Sequence, residues 1–281
     1  MKKILVTTDF SANSKAGIRF AIQLASQTPC KLIFFYVKGS LAVDAWSQVD
    51  YNDAKNAENI LLKHKLNKFI KDIYKGTRKN SVKIDFVIEN KTYVDAAIIA
   101  YAQKCNADYI CMSTRGGGIA DKFMGTNASS LITTSPVPLI VVPHTYHLKP
   151  IKSILYASDM EKIGTELKSV EGFANLFDAD IVVYNYDFFL EEDEVKSKLK
   201  KIADKYSSDN ISFNFKMLYA EVPLLNQLQD DIRKSKPSII AMFTKQNRSW
   251  FERLFLSSKT AELGFDTKTP MLVFRKHKAV T

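Results

Sequence analysis

"MKKILVTTDF" at Met1–Phe10 returns at Ile151–Met160 as "IKSILYASDM". Each copy is a short aliphatic run with a lysine near its start, closed by a hydroxyl residue and an aspartate. In the first copy Thr7, Thr8 and Asp9 stop the run far too early for a signal-peptide core, so it reads as a buried strand that ends in a loop. The segments downstream of each copy decide whether the pair is coincidence or duplication.

After the first copy come a helical pattern in "SANSKAGIRFAIQLASQT", a strand in "CKLIFFYV", a long basic helix and a strand in "VKIDFVIE". A helix near "TYVDAAIIAYAQKC", the strand "DYICMS", a glycine stretch, a helix from about Gly125 to Thr134 and "PLIVVP" complete the run. Strands separated by helices cross over to lie parallel, so the order implies a parallel sheet covered by helices on both faces. The second copy starts the same order again: "ADIVVYNY", "ISFNFKML", "PSIIAMFTK" and "TPMLVFRK" repeat the four later strands. A repeat this long is a duplicated domain, whereas solenoid units are much shorter. We expect an α/β chain of two tandem doubly wound domains, 1–148 and 149–281, each a five-stranded parallel sheet.

Length and composition agree with this reading. A chain of 281 residues exceeds one typical domain, and 46% hydrophobic with 25% charged residues is an ordinary globular balance. No segment reaches the roughly 18 apolar residues of a membrane span. Cys30, Cys105 and Cys111 have no C-x-x-C spacing, which suggests free, mostly buried thiols in a reducing cytoplasm. The net charge of +10 is concentrated in the first half, with 19 Lys and Arg against 11 Asp and Glu over residues 1–148. Much of the excess lies in Lys55–Lys79, where Leu62, Leu66, Phe69, Ile70 and Ile73 recur at helical spacing between lysines. No interleaved aromatics are expected to face the lysines, so a solvated helix face is favoured over a nucleic-acid patch.

In open parallel sheets ligands sit beyond the carboxyl ends of the strands, where strand order reverses. The first strand ends at Thr7-Thr8-Asp9, the second at Tyr36-Val37 and the fourth at Met112-Ser113, so these residues rim one crevice if the strands are neighbours. Asp9 has two readings of equal weight: an acceptor for a ribose or base, and a cap for the next helix, although Ser11 and Asn13 are better placed for capping. "STRGGGIADKFMGTN" at Ser113–Asn127 adds Arg115, three glycines and a helix start at Gly125-Thr126-Asn127, whose amides suit a phosphate. Most Gly-Gly-Gly turns bind nothing, and there is neither a P-loop nor a G-x-G-x-x-G after the first strand.

At these residues the chain resembles the universal stress protein family (UspA-like) in its tandem two-domain form. "ILVTTDFS" at Ile4–Ser11 is similar to the family's opening, "ADYICMSTRG" at Ala107–Gly116 to its fourth strand, and Met124-Gly125-Thr126 leading to "VPLIVVP" to its close. The resemblance covers nearly the whole chain and implies a Rossmann-like fold of the adenine nucleotide alpha hydrolase type. Nucleotide-binding members hold ATP with G-x2-G-x9-G-[ST]. Here Ser113 stands at the first glycine, eight residues lie between Gly116 and Gly125, and Thr7 replaces a proline. The resemblance implies Thr8, Asp9 and Val37 at adenine and ribose, Met112 and Ser113 at ribose, and Arg115, Gly116, Gly125, Thr126 and Asn127 at the phosphates.

The second half keeps Asp159 at the position of Asp9, but its fourth strand runs into "FTKQNRSWFERLFLSSKT" with no glycine and with Ser257 at the place of Gly125. Trp250 and Phe251 add bulk there. We expect this half to be a scaffold or regulatory partner, with Lys245 and Arg248 in solvent. His144 and His147 read as solvated linker residues, and Glu191–Glu194 as the acidic first turn of a helix. Three functions remain open: a cytoplasmic stress-response regulator binding ATP, with Mg2+, in its first domain; a family member without nucleotide that serves as a protein-interaction or small-ligand module; and a slow nucleotide hydrolase with Asp9 as its base. The apolar last strands "PLIVVP" and "PMLVF" invite edge pairing, which the family uses to dimerise. That implies an internal pseudo-dimer of the two halves and leaves a further homodimer open, with the protein partner unidentified.

Overall fold

The computed structural model describes residues 1–39, 48–77, 85–114, 126–244 and 268–276. The described residues divide into two compact units, one ending at Leu148 and the other beginning at Lys149.

In the first unit the described elements are β1 (Lys2–Thr7), α1 (Lys15–Gln27), β2 (Cys30–Lys38), α2 (Gln48–Thr77), β3 (Asp85–Asn90), α3 (Val94–Lys104), β4 (Tyr109–Ser113), α4 (Thr126–Thr134) and β5 (Leu139–Val142). All pairings are parallel, in the order β3-β2-β1-β4-β5. Strand order therefore reverses between β1 and β4. Val6 is level with Phe34 on one side and Cys111 on the other. The Cys111 thiol reaches the Gly17 carbonyl of α1, whereas Phe35, one residue past Phe34, stacks on Tyr101 of α3 at 4.9 Å. Successive strand residues point to opposite faces, so α1 covers one face and α3 the other. Burial on both sides is why these strands read as continuous apolar runs instead of alternating ones; all four residues of β5 are buried.

The basic helix α2 starts at Gln48, earlier than its lysine-rich portion suggests. Leu66, Ile70, Ile73 and Tyr74 are buried while Lys63, Lys65, Lys68, Lys71 and Lys75 are not, the arrangement expected of a solvated face. Leu62 and Phe69 are only half-buried. Phe69 instead forms the edge of an aromatic group with Phe10 and Tyr36, their ring centroids 5.7 and 4.7 Å from that of Phe10.

The second unit contains β6 (Ser153–Ala157), α5 (Ile163–Ala174), β7 (Asp180–Asp187), α6 (Asp193–Tyr206), β8 (Ile211–Met217), α7 (Leu224–Ser235), β9 (Ile239–Thr244) and β10 (Met271–Arg275). Its sheet is again parallel, with order β10-β9-β6-β7-β8. Asp193 and Glu194 occupy the first turn of α6, where their charge complements the helix dipole. Lys245, Arg248, Trp250, Phe251 and Ser257 lie outside the described residues. The three cysteines are free, with Cys30 and Cys111 buried and Cys105 partly so. His144 and His147 flank Tyr146, which is buried against Phe20. No described helix is long and apolar enough to cross a membrane.

Candidate functional site

The turn after β1 is built by its own side chains. The Thr8 N–H continues the ladder to the Phe35 carbonyl at 3.0 Å, its hydroxyl accepts the Phe10 N–H at 3.1 Å, and Asp9 Oδ1 accepts the Ser11 N–H at 3.0 Å. These bonds hold Phe10 at φ 62°, a region that bulky residues rarely occupy. The Ser11 hydroxyl in turn accepts the Ser14 N–H at 3.2 Å, so Ser11 assists the start of α1 while Asp9 shapes the turn before it.

Ser113, at the end of β4, explains the close contact of that strand with α1. Its hydroxyl accepts the Gly17 N–H at 2.7 Å and donates to the Ser14 carbonyl at 3.2 Å. A Cβ on Gly17 would lie 2.9 Å from the Ser113 hydroxyl and 3.0 Å from its backbone nitrogen, so only glycine fits. The neighbouring first-turn amides, Lys15 and Ala16, donate to the Ala12 and Asn13 carbonyls. The start of α1 is thus consumed internally. A helix N-terminus that still faces the reversal point is that of α4.

A cavity of about 290 Å³ opens at this point, beyond the carboxyl ends of β1, β2 and β4. Thr8, Asp9, Val37, Met112, Ser113 and Asn127 all line it. Arg115, Gly116 and Gly125 lie outside the described residues, as does the side chain of Thr126, whose backbone begins α4. Val94 and Ile98 of α3 also line the cavity, and sequence reasoning missed both. Their spacing of four along an apolar helix face was a usable signal, but core packing explains it equally well. Ladder alternation adds a backbone element: Phe35 bonds toward β1 and Lys38 toward β3. Val37 therefore turns its N–H and C=O to the β1 side, just past the end of that strand. α4 is held against α3 by the Ser130 hydroxyl, which donates to Asp95 Oδ2 at 2.5 Å; this bond, with the Ala96 N–H, keeps the Asp95 carboxyl below its ordinary range. Among the described residues Asp9 is the one carboxylate lining the cavity, and none of the His/Cys/Asp/Glu side chains gather into a group able to hold a metal ion.

A family model, the universal stress protein family, matches residues 1–143. The chain belongs to the universal stress protein family. Two solved structures extend the likeness of fold along the whole length. A universal stress protein from Archaeoglobus fulgidus DSM 4304 aligns with a TM-score of 0.67 at 14% identity, covering 98% of this chain and 96% of that one. A functionally unknown protein from Pseudomonas aeruginosa PAO1 aligns with a TM-score of 0.61 at 15% identity, covering 98% and 92%. No curated protein matches the sequence.

Within this universal stress protein, the second unit repeats the turn closely. Ser158 Oγ accepts the Met160 N–H at 3.1 Å, Asp159 Oδ1 accepts the Glu161 N–H at 3.0 Å, and Met160 has φ 64°. The space around the aspartate differs. Lys276, past the end of β10, places its ammonium 3.3 Å from Asp159, 3.2 Å from Glu161 and 3.3 Å from Glu166. The Tyr156 hydroxyl donates to the other Glu166 oxygen at 2.5 Å. At the corresponding positions of the first unit stand Val6 and Ala16. Burial pushes the Asp159 carboxyl above its ordinary range despite the Glu161 N–H and Lys276. Burial also works to lower the Lys276 ammonium, but Asp159 and Glu166 carry it above its usual value.

Proposed function

We propose that the first unit binds ATP in the crevice between β1 and β4, and that occupancy of this site alters the protein's binding to a protein partner in a cytoplasmic stress response. The observation that carries the reading is the convergence of Thr8, Asp9, Val37, Met112, Ser113 and Asn127 on one cavity at the reversal of strand order. In open parallel sheets that position is where nucleotides bind. Val37 offers a backbone donor and acceptor suited to a purine edge, Asp9 an acceptor for ribose hydroxyls, and the amino end of α4 a partial positive charge for phosphate. Arg115, Gly116, Gly125 and Thr126 would complete the phosphate end. Mg2+ would arrive chelated by the triphosphate and neutralise its charge. The second unit acts as the silent partner, because its aspartate is paired with Lys276.

The alternative, an interaction module without nucleotide, is favoured by one observation: the Ser113 hydroxyl is spent on α1 at the position where the family motif has glycine. Calorimetric titration of the nucleotide-stripped chain with Mg-ATP separates the two. One saturable site per chain, weakened at least tenfold by Asp9→Ala, supports the first reading. Absence of heat at millimolar ATP with a folded protein establishes the second.

A further inference from the structure

The first unit carries the chain's excess of positive charge, and only part of it belongs to the outer face of α2. At the opposite end of the sheet from the crevice, a groove of about 560 Å³ is lined by Lys3, Lys31, Lys63 and Lys104. These come from β1, β2, α2 and the last turn of α3, elements far apart in sequence. Asp85, at the start of β3, is the one carboxylate lining the groove among the described residues, and it is spent on Lys31 at 2.5 Å.

The structural explanation for lysines here is the carboxyl end of α3. It accounts for one of them well: Lys3 donates to the Cys105 carbonyl at 3.0 Å. A helix end carries only about half a negative charge, so among the described residues that line the groove that end and Asp85 together leave more than two positive charges uncompensated. Among the described residues neither Lys63 nor Lys104 pairs with a carboxylate, and both are exposed. The Tyr101 ring, fixed by stacking on Phe35, and Phe86 supply rigid walls beside them. Like charges gathered in a concavity repel each other unless an anion enters, and the repulsion focuses the field on it. Lysine ammoniums hold phosphate as point charges, and two unpaired ones lining a groove with two partly compensated ones suit linked phosphates better than a single one.

We propose that this groove is a second binding site, separate from the nucleotide crevice, for a compact oligophosphate group, either free or carried on a small molecule. The test is calorimetric titration of the full chain with inorganic triphosphate in low salt. The expected result is one saturable site whose affinity falls steeply as salt rises. Lys63→Ala/Lys104→Ala should weaken it about tenfold or more, Lys63→Arg/Lys104→Arg should retain it, and Asn127→Ala at the crevice should leave it unchanged. Titration with ATP distinguishes the sources: a second ATP site lost in the lysine-to-alanine variant means a nucleotide can present the phosphates, and its absence means a free oligophosphate is the ligand. Four results overturn the proposal: no binding at millimolar triphosphate, binding indifferent to the lysine substitutions, binding lost with Asn127→Ala, or tighter lysine-dependent binding of a 20-nucleotide single strand. Because all substitutions lie on exposed side chains or the crevice rim, far-ultraviolet circular dichroism separates loss of binding from loss of fold.

Discussion

Replacing Lys276 by Met keeps most of the aliphatic stem and removes the ammonium, so it isolates the charge from the packing. Glu166 is 3% exposed and Asp159 sits beside it, whereas the Glu161 side chain is 46% exposed and water can take over its solvation. Breaking a buried ion pair on one side costs about 3 to 5 kcal/mol. A loss of about 3 to 5 kcal/mol at pH 7 is therefore expected. Burial already holds the Asp159 carboxyl above its ordinary range, and the variant loses the Lys276 charge that works against that rise. A carboxyl that holds its proton more tightly in the folded than in the unfolded chain makes the penalty shrink as pH falls, by at most about 1.4 kcal/mol per unit. In the parent, the raised Lys276 ammonium contributes stability that is complete at neutral pH and is lost only as pH rises past the ordinary lysine range. Urea unfolding at pH 7.5 and 5.5, followed through hydrogen exchange of the β6 and β9 amides so that the signal belongs to the second unit, should show the gap between parent and variant narrowing at the lower pH, by at most about 3 kcal/mol. A gap below about 1 kcal/mol, or one that does not change with pH, would refute the argument that this lysine is the counter-ion of a buried carboxylate.

Gly17→Ala should destabilise the first unit by about 1 to 3 kcal/mol through overpacking against β4, read as a lower urea midpoint. Ser113→Gly, which restores the family's motif residue, should cost about 1 kcal/mol by depriving the Gly17 N–H of its acceptor; the same denaturation assay checks it. Tyr186→Phe removes the 2.9 Å hydrogen bond to the buried carboxylate of Asp231, which keeps a Lys216 contact at 3.3 Å. Its expected cost is about 1.5 to 3 kcal/mol, measured by urea unfolding of the second unit. In the native protein a thiol reagent should modify Cys105 first. Cys30, pushed up to about 11 by burial, and the fully buried Cys111 should react only on unfolding, as peptide mapping after timed labelling would reveal.

The sheet was legible because parallel strands covered on both faces announce themselves as unbroken apolar runs, and because the chain states its pattern twice. The two copies of the first strand locate the reversal of strand order, and with it the crevice. Details that depend on side chains meeting across the fold were less accessible. Ser113 reads as a defect in a glycine motif until its hydroxyl is seen bridging Ser14 and Gly17. Lys276 lies past the last strand, more than 100 residues from Asp159, and nothing in its neighbours signals that it turns inward. Tyr156 and Glu166 gave a fainter hint, since polar atoms at positions that are Val6 and Ala16 in the other copy need partners. The lysine groove draws on four separate elements, so no local window contains it.

The left-handed residue after each strand-end aspartate is Phe10 in one copy and Met160 in the other, and the same hydrogen bonds impose it in both. The aspartate of one turn lines an open cavity, and that of the other pairs with a lysine. Both accept the same backbone N–H two residues on, so the bond that builds the turn forms with either neighbour. In this chain the aspartate after a first strand therefore reports how the loop folds, and what else it can hold depends on the side chain lying opposite it.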